Sequence, residues 1–136
     1  MEGIAEFADV RDVHKSRIPE HLKNQNELVD FPSWEKLDLR VAEIKAIEDI
    51  EGADKLYKLT IDVGELGERV ICAGIKKYYE KEELKGKRCI LFVNLAPRMM
   101  KGIESKGMIL AAVNDDESNV VLIQPEQDIE VGSRVR

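Results

Sequence analysis

Residues 37–75 read LDLRVAEIKAIEDIEGADKLYKLTIDVGELGERVICAGI, three alternating runs separated by glycine-bearing turns. In the middle run, LYKLTIDV, one row holds Tyr57, Leu59, Ile61 and Val63, and the other holds Leu56, Lys58 and Thr60. A period of two is the signature of a strand with one face buried. The first run alternates Leu37, Leu39 and Val41 and then shifts phase, as a long curved strand with an irregularity does. Residues 51–54 (EGAD) and 64–67 (GELG) turn the chain, and RVICAGI forms a third strand.

Downstream, YYEKEEL at 78–84 has helical propensity and ends at Gly86, a C-terminal cap. KRCILFVNLA is the most apolar run and should lie centrally in the sheet. A cationic loop follows Pro97, then a fifth strand, GMILAAV, a turn at NDDES and a last short strand, NVVLIQP. Three meandering strands, a short helix and two more strands describe an all-β chain with the layout of an OB-fold, a five-stranded Greek-key barrel. Other small barrels and sandwiches share that periodicity. Upstream, Ile4, Phe7, Ala8 and Val10 lie near helical spacing, and HLKNQNE reads as a connector. The expected division is an N-terminal extension over 1–31, partly helical and a candidate dimer element, and a barrel domain over 32–136.

The 136 residues carry a net charge of −6, which argues against coating a polyanion by general electrostatics. The distribution is uneven. Between residues 85 and 106 stand six cations (Lys85, Lys87, Arg88, Arg98, Lys101, Lys106) and one acid, Glu104. Such a swing within a short chain favours a dedicated cationic face. Cys72 and Cys89 each sit in an apolar run, so two buried, reduced thiols on neighbouring strands are expected, in a cytoplasmic setting. The N-terminus lacks the apolar stretch of a signal peptide, and no run is long enough to cross a bilayer, so no membrane partner is expected.

No nucleophile, base and acid stand together in pattern. His14 and His21 lack nearby cysteine ligands, and GELGER has neither P-loop nor dinucleotide spacing. Neither an enzyme nor a cofactor or metal is expected.

Five segments carry a resemblance: DLRVAEI at 38–44, GADKLYKLTIDVG at 52–64, CAGIKKYY at 72–79, LKGKR at 84–88 and VNLAPRMMKGIESKGMILAA at 93–112. In order and spacing they resemble the tRNA-binding domain found free-standing in bacteria and archaea, attached to methionyl-tRNA synthetases, and in the cytokine-precursor subunit of animal synthetase complexes. The resemblance covers residues 34–136. It implies an OB barrel that binds the outer corner of tRNA by shape and backbone, a homodimer, and a synthetase as a candidate partner. Carried over by position, the RNA face is Lys55, Asn94, Arg98, Lys101, Ser105, Lys106 and Met108. Their chemistry suits RNA, because long cations reach phosphates, a guanidinium stacks on a base, and hydroxyl and amide groups meet ribose hydroxyls.

Plainer roles stand beside these. Asn94 can hold the loop after it, Met99 and Met100 can pack as a lid, Met108 can do either, and Tyr78 and Tyr79 suit packing. Ala42 replaces a glycine usual in the family, and the leader is longer than in compact members. Related secretion-associated, chaperone-like proteins share the barrel, which leaves a peptide-binding dimer as the alternative reading.

Overall fold

A computed structural model describes residues 27–136. They fall into two units, the first running to Trp34 and the second comprising Glu35–Arg136. The helical spacing at Ile4–Val10, the dimer role given to 1–31, and His14 and His21 lie outside the described residues. Helix α1 (Phe31–Glu35) begins where Asp30 Oδ1 accepts the Ser33 N–H at 3.0 Å. That bond satisfies a donor the first turn would otherwise leave open.

The second unit is all-β with one short helix. Strands β1 (Leu39–Ile50), β2 (Ala53–Asp62) and β3 (Glu68–Ala73) form the meander that the alternation prescribes. A 3₁₀ turn over Gly64–Leu66 joins β2 to β3. Register breaks between Ile44 and Ala46, and again between Asp49 and Ile50. Leu39 and Val41, then Ala42 and Ile44, are buried in succession, so the inward phase already changes at Val41–Ala42, ahead of both register breaks. Helix α2 (Lys81–Leu84) starts with a reciprocal cap between Glu80 and Glu83 and inserts one side chain, Leu84, into the core. It is shorter than the propensity of 78–84 suggests. The Tyr57 hydroxyl holds the Tyr79 carbonyl at 2.8 Å, and residues 75–79 form a turn instead.

Beyond the helix come β4 (Arg88–Phe92), β5 (Arg98–Met100), β6 (Ile103–Ser105), β7 (Met108–Ile109), β8 (Ala111–Val113), β9 (Val120–Leu122) and β10 (Arg134–Val135). The main sheet runs β3-β2-β1-β4-β7, with β10 also on β1; β5-β6 and β8-β9 are separate ladders. The expected fifth strand, GMILAAV, is divided at Leu110. Its N–H bonds to Ile90 of β4, and its carbonyl accepts the N–H of Ile123 after β9. Cys72 and Cys89 are both free and buried, as expected, but not neighbours: β2 and β1 separate β3 from β4.

This is an OB-type curled sheet whose ladder is open between β3 and β7. Individual bonds bridge the opening: Lys106 N–H to Val70 O at 3.0 Å, Cys72 N–H to Ser105 Oγ at 2.9 Å, and Arg69 Nη1 to Val93 O at 3.0 Å. Inside lies a core that includes Ile44, Leu59, Ile61, Ile71, Leu84, Leu91 and Cys89. A smaller cluster of Ile50, Ala53 and Cys72 receives Leu56, Met100 and Ile103. Through Met100 and Ile103 the β5-β6 hairpin is seated on the sheet.

Ser105→Ala leaves the Cys72 N–H without its partner in the interior and should cost about 1–3 kcal/mol, read as a lower urea midpoint. Burial pushes the Cys89 thiol up to about 12, from an ordinary value of 9.0. Because the folded value is raised, the thiol's contribution is intact below pH 9. It declines above that, as the unfolded thiol ionises and the folded one does not. At pH 10 the loss from this one group should be about 1.4 kcal/mol. Cys89→Ala should flatten the fall in stability between pH 8 and pH 10 by that amount.

Candidate nucleic-acid interface

The cationic segment after Pro97 is a hairpin, not a loop. Arg98 pairs with Ser105, Met99 with Glu104 and Met100 with Ile103, leaving Lys101 and Gly102 as a two-residue turn. Both turn residues have positive φ, 51° and 80°. That is the twist a two-residue hairpin demands, and asparagine or glycine usually supplies it. A lysine there accepts backbone strain and holds its charge at the tip.

Alternation along the hairpin decides which side chains are available. Arg98, Met100, Ile103 and Ser105 share the face toward the sheet, and Met99 and Glu104 face away. Ser105 is 4% exposed; its hydroxyl accepts from Cys72 N–H and donates to the Gly107 carbonyl at 3.4 Å. Ser105, expected on the RNA face, thus has its side chain in the interior, with its one donor committed to Gly107 and an acceptor position to Cys72. Asn94 is also committed. Its Oδ1 accepts the Asp38 N–H at 2.8 Å, and its Nδ2 donates to the Lys36 carbonyl at 2.7 Å. It thus fastens the approach to β1, not the loop that follows it. Met99 is 67% exposed and so is not a lid, whereas Met100 packs as expected.

Arg98 and Lys101 are exposed and have no acidic partner within 4 Å among the described residues. Lys106 is exposed and meets Glu104 only at 3.7 Å. Met108, on β7, is 45% exposed. These four stand together around the hairpin and the adjoining strand edge.

Lys55 is on a different element. It lies within strand β2 and lines a shallow cavity with Gly74, Lys77 and Tyr78. Asp116 and Glu117 line the same cavity, so its charge is mixed. The front of the 85–106 run is separate too. Arg88 pairs with Glu43 at 2.8 Å and Asp128 at 3.5 Å, and Lys87 lies 5.9 Å from the centre of the Tyr79 ring. Lys76 is held by Asp49 at 3.0 Å. Tyr78 donates its hydroxyl to the Glu117 carbonyl, and the Tyr79 hydroxyl accepts the Leu122 N–H.

Sequence reading missed a cavity of about 220 Å³ between the hairpin, the end of β3 and β7. Its lining includes Gly74, Arg98, Ser105, Gly107, Met108 and Ala111. Gly107 could not be replaced cheaply: its φ is 136°, and a Cβ would lie 3.0 Å from the Phe92 carbonyl oxygen. Missed as well was Arg69, whose guanidinium ties the Val93 carbonyl to β3. Small residues at 73–74, 96, 107 and 111 were the available signal for the cavity, but only the fold brings them to one place.

The family model described as a putative tRNA-binding domain matches residues 39–134. A methionine–tRNA ligase of Methanocaldococcus jannaschii is 48% identical over 110 residues, covering 81% of this chain and 17% of the ligase. The Pyrococcus horikoshii ligase is 44% identical over 114 residues, covering 84% of this chain and 15% of the ligase. The chain thus spans a small fraction of the length of these relatives. Among solved structures, a MetRS-related protein from Pyrococcus horikoshii has a TM-score of 0.75 at 38% identity, covering 80% of this chain and 98% of that one. The chaperone CsaA from Bacillus anthracis has a TM-score of 0.73 at 30% identity, covering 80% and 99%. With the matched segment running from the first residue of β1 into β10, the chain belongs to the putative tRNA-binding domain family.

Proposed function

We propose that this chain is a non-catalytic module that binds the outer corner of structured tRNA through Arg98, Lys101, Lys106 and Met108. The observation that carries the reading is the rigid β5-β6 hairpin on an otherwise acidic chain. Its cations are exposed, and Arg98 and Lys101 have no acid within 4 Å among the described residues. Three positioned cations give modest charge attraction and a fixed register on a phosphate backbone, which favours a folded RNA over a generic polyanion. Ser105 and Asn94 serve this face from behind, by holding the hairpin and β1 in place. Lys55 belongs to a second patch, where the neighbouring acids weaken its pull on phosphate. The module acts as a cytoplasmic homodimer that concentrates tRNA for a methionyl-tRNA synthetase or another synthetase.

The similarity to chaperone CsaA supports a second reading, a peptide-binding dimer that uses the apolar cavity beside the hairpin. A gel shift with unfractionated tRNA, challenged by an unfolded polypeptide, separates the two. tRNA binding that survives the polypeptide supports the first reading; displacement, or no shift at all, supports the second.

Arg98→Ala and Lys101→Ala should each weaken tRNA binding by about 1.5 kcal/mol, to a similar degree for every tRNA species. Each should also lower the slope of log affinity against log salt by about 0.7–0.9 for every phosphate no longer neutralised. Fluorescence anisotropy across a salt series measures both. Lys55→Ala should change the affinity less than either. Wild-type affinity in both hairpin variants would place the RNA elsewhere.

A further inference from the structure

The cavity beside the hairpin has a size and lining that phosphate binding does not explain. About 220 Å³ is larger than the roughly 150 Å³ cavity that accepts a benzene ring, and so suits one substituted planar ring. Its small lining residues, Gly74, Gly107 and Ala111, leave the space open, while Met108 and Arg98 supply a thioether and a guanidinium. Thioethers and guanidinium planes both bind aromatic faces favourably. Neither Asp nor Glu lines it, so an electron-rich ring meets no like charge.

We propose that this cavity receives a single unstacked nucleobase of the bound RNA, with Met108 against the ring and Arg98 at its edge, where the guanidinium also holds a flanking phosphate together with the exposed cations nearby. The inference rests on the tRNA reading above and adds a base-binding subsite to it. A base is favoured over a peptide side chain because the surrounding cations suit the phosphates that accompany every base. A peptide side chain brings no such charge. Stacking of this kind tolerates any base, so the cavity would register that a base is unstacked more than which base it is. Selectivity for the outer corner of tRNA would then come partly from where that RNA can release a base at low cost.

Gly74 borders this cavity and also the one that holds Lys55, so its variant is read beside Lys55→Ala, which leaves this cavity open. The φ of Gly74 lies outside the left-handed range, and an added Cβ meets nothing closer than Leu56 Cδ2 at 3.8 Å. Gly74→Val should bind a methionine tRNA transcript about tenfold more weakly while keeping the wild-type salt slope, because base stacking is removed and every phosphate remains neutralised. Dimethyl sulfate and carbodiimide probing should find one base whose reactivity changes on binding the wild-type protein and not on binding the variant. Gly74→Ala, with a smaller effect in the same direction, carries the test if the valine variant fails to melt cooperatively.

Wild-type affinity in a folded Gly74→Val protein would overturn the base cavity and leave the cationic face standing. A fall in the salt slope equal to that of Arg98→Ala would also overturn it, since the change would then be acting on phosphates. So would unchanged tRNA binding with loss of polypeptide binding, which would assign the cavity to a peptide. Failure of the wild-type protein to bind the transcript would overturn the tRNA reading itself, and is seen before any variant is made.

Discussion

At β3 the main sheet runs out of partners, and the N–H of Cys72 faces a place where the next strand would be. Ser105 supplies an oxygen there, and the neighbouring Lys106 N–H bonds back to Val70. These bonds stand in for a missing ladder. They bring the two ends of the curled sheet together, cover Cys72 and fix the departure of β6. The β5-β6 hairpin consequently cannot rise from the surface without exposing Met100, Ile103 and two buried hydrogen bonds. Its rigidity is a property of the closure.

That dependence explains why the polar residues of one segment divide between inside and outside. From Ile103 to Met108 the backbone is an edge that must bond inward at alternate positions. Ser105 and Gly107 are committed to that bonding and close packing, while Glu104, Lys106 and Met108 are left to solvent. The positive charge on the surface comes with its own limit: Glu104 stands beside Lys106 and trims the attraction. With so few cations the hairpin presents shape more than charge, and the turn at Lys101 secures that shape at some local strain.

Much of this is legible in the residues. The alternation in LYKLTIDV gives the buried row of β2, and the phase slip in LDLRVAEIKAIEDI marks the bulged first strand. The same rule, applied through GIESKGM, places Ser105 and Lys106 on opposite faces, so a strand reading of that segment yields the inward position of Ser105 where a loop reading does not. Lys101-Gly102 conceals the hairpin because lysine is a poor signal for a positive-φ turn. The role of Asn94 is not legible. Its partners, residues 36 and 38, lie more than fifty positions away and meet it only after β1 pairs with β4. The separation of Cys72 from Cys89 likewise depends on sheet order, which periodicity does not encode.

Residues 39 and 135 stand opposite one another in the β1-β10 ladder, and Arg40 opposite Arg134. The return of the chain is fitted closely: at the crossing of Gly64 with Val131 and Gly132, a Cβ on Gly64 would lie 2.7 Å from the Val131 carbonyl oxygen. The path into this unit and the path out of it therefore emerge side by side. A body with both leads at one point can hang from a larger polypeptide by a single stem, or sit within one as a side branch, without stretching its own sheet. Such a unit can be carried as one piece, with its exposed cationic hairpin intact.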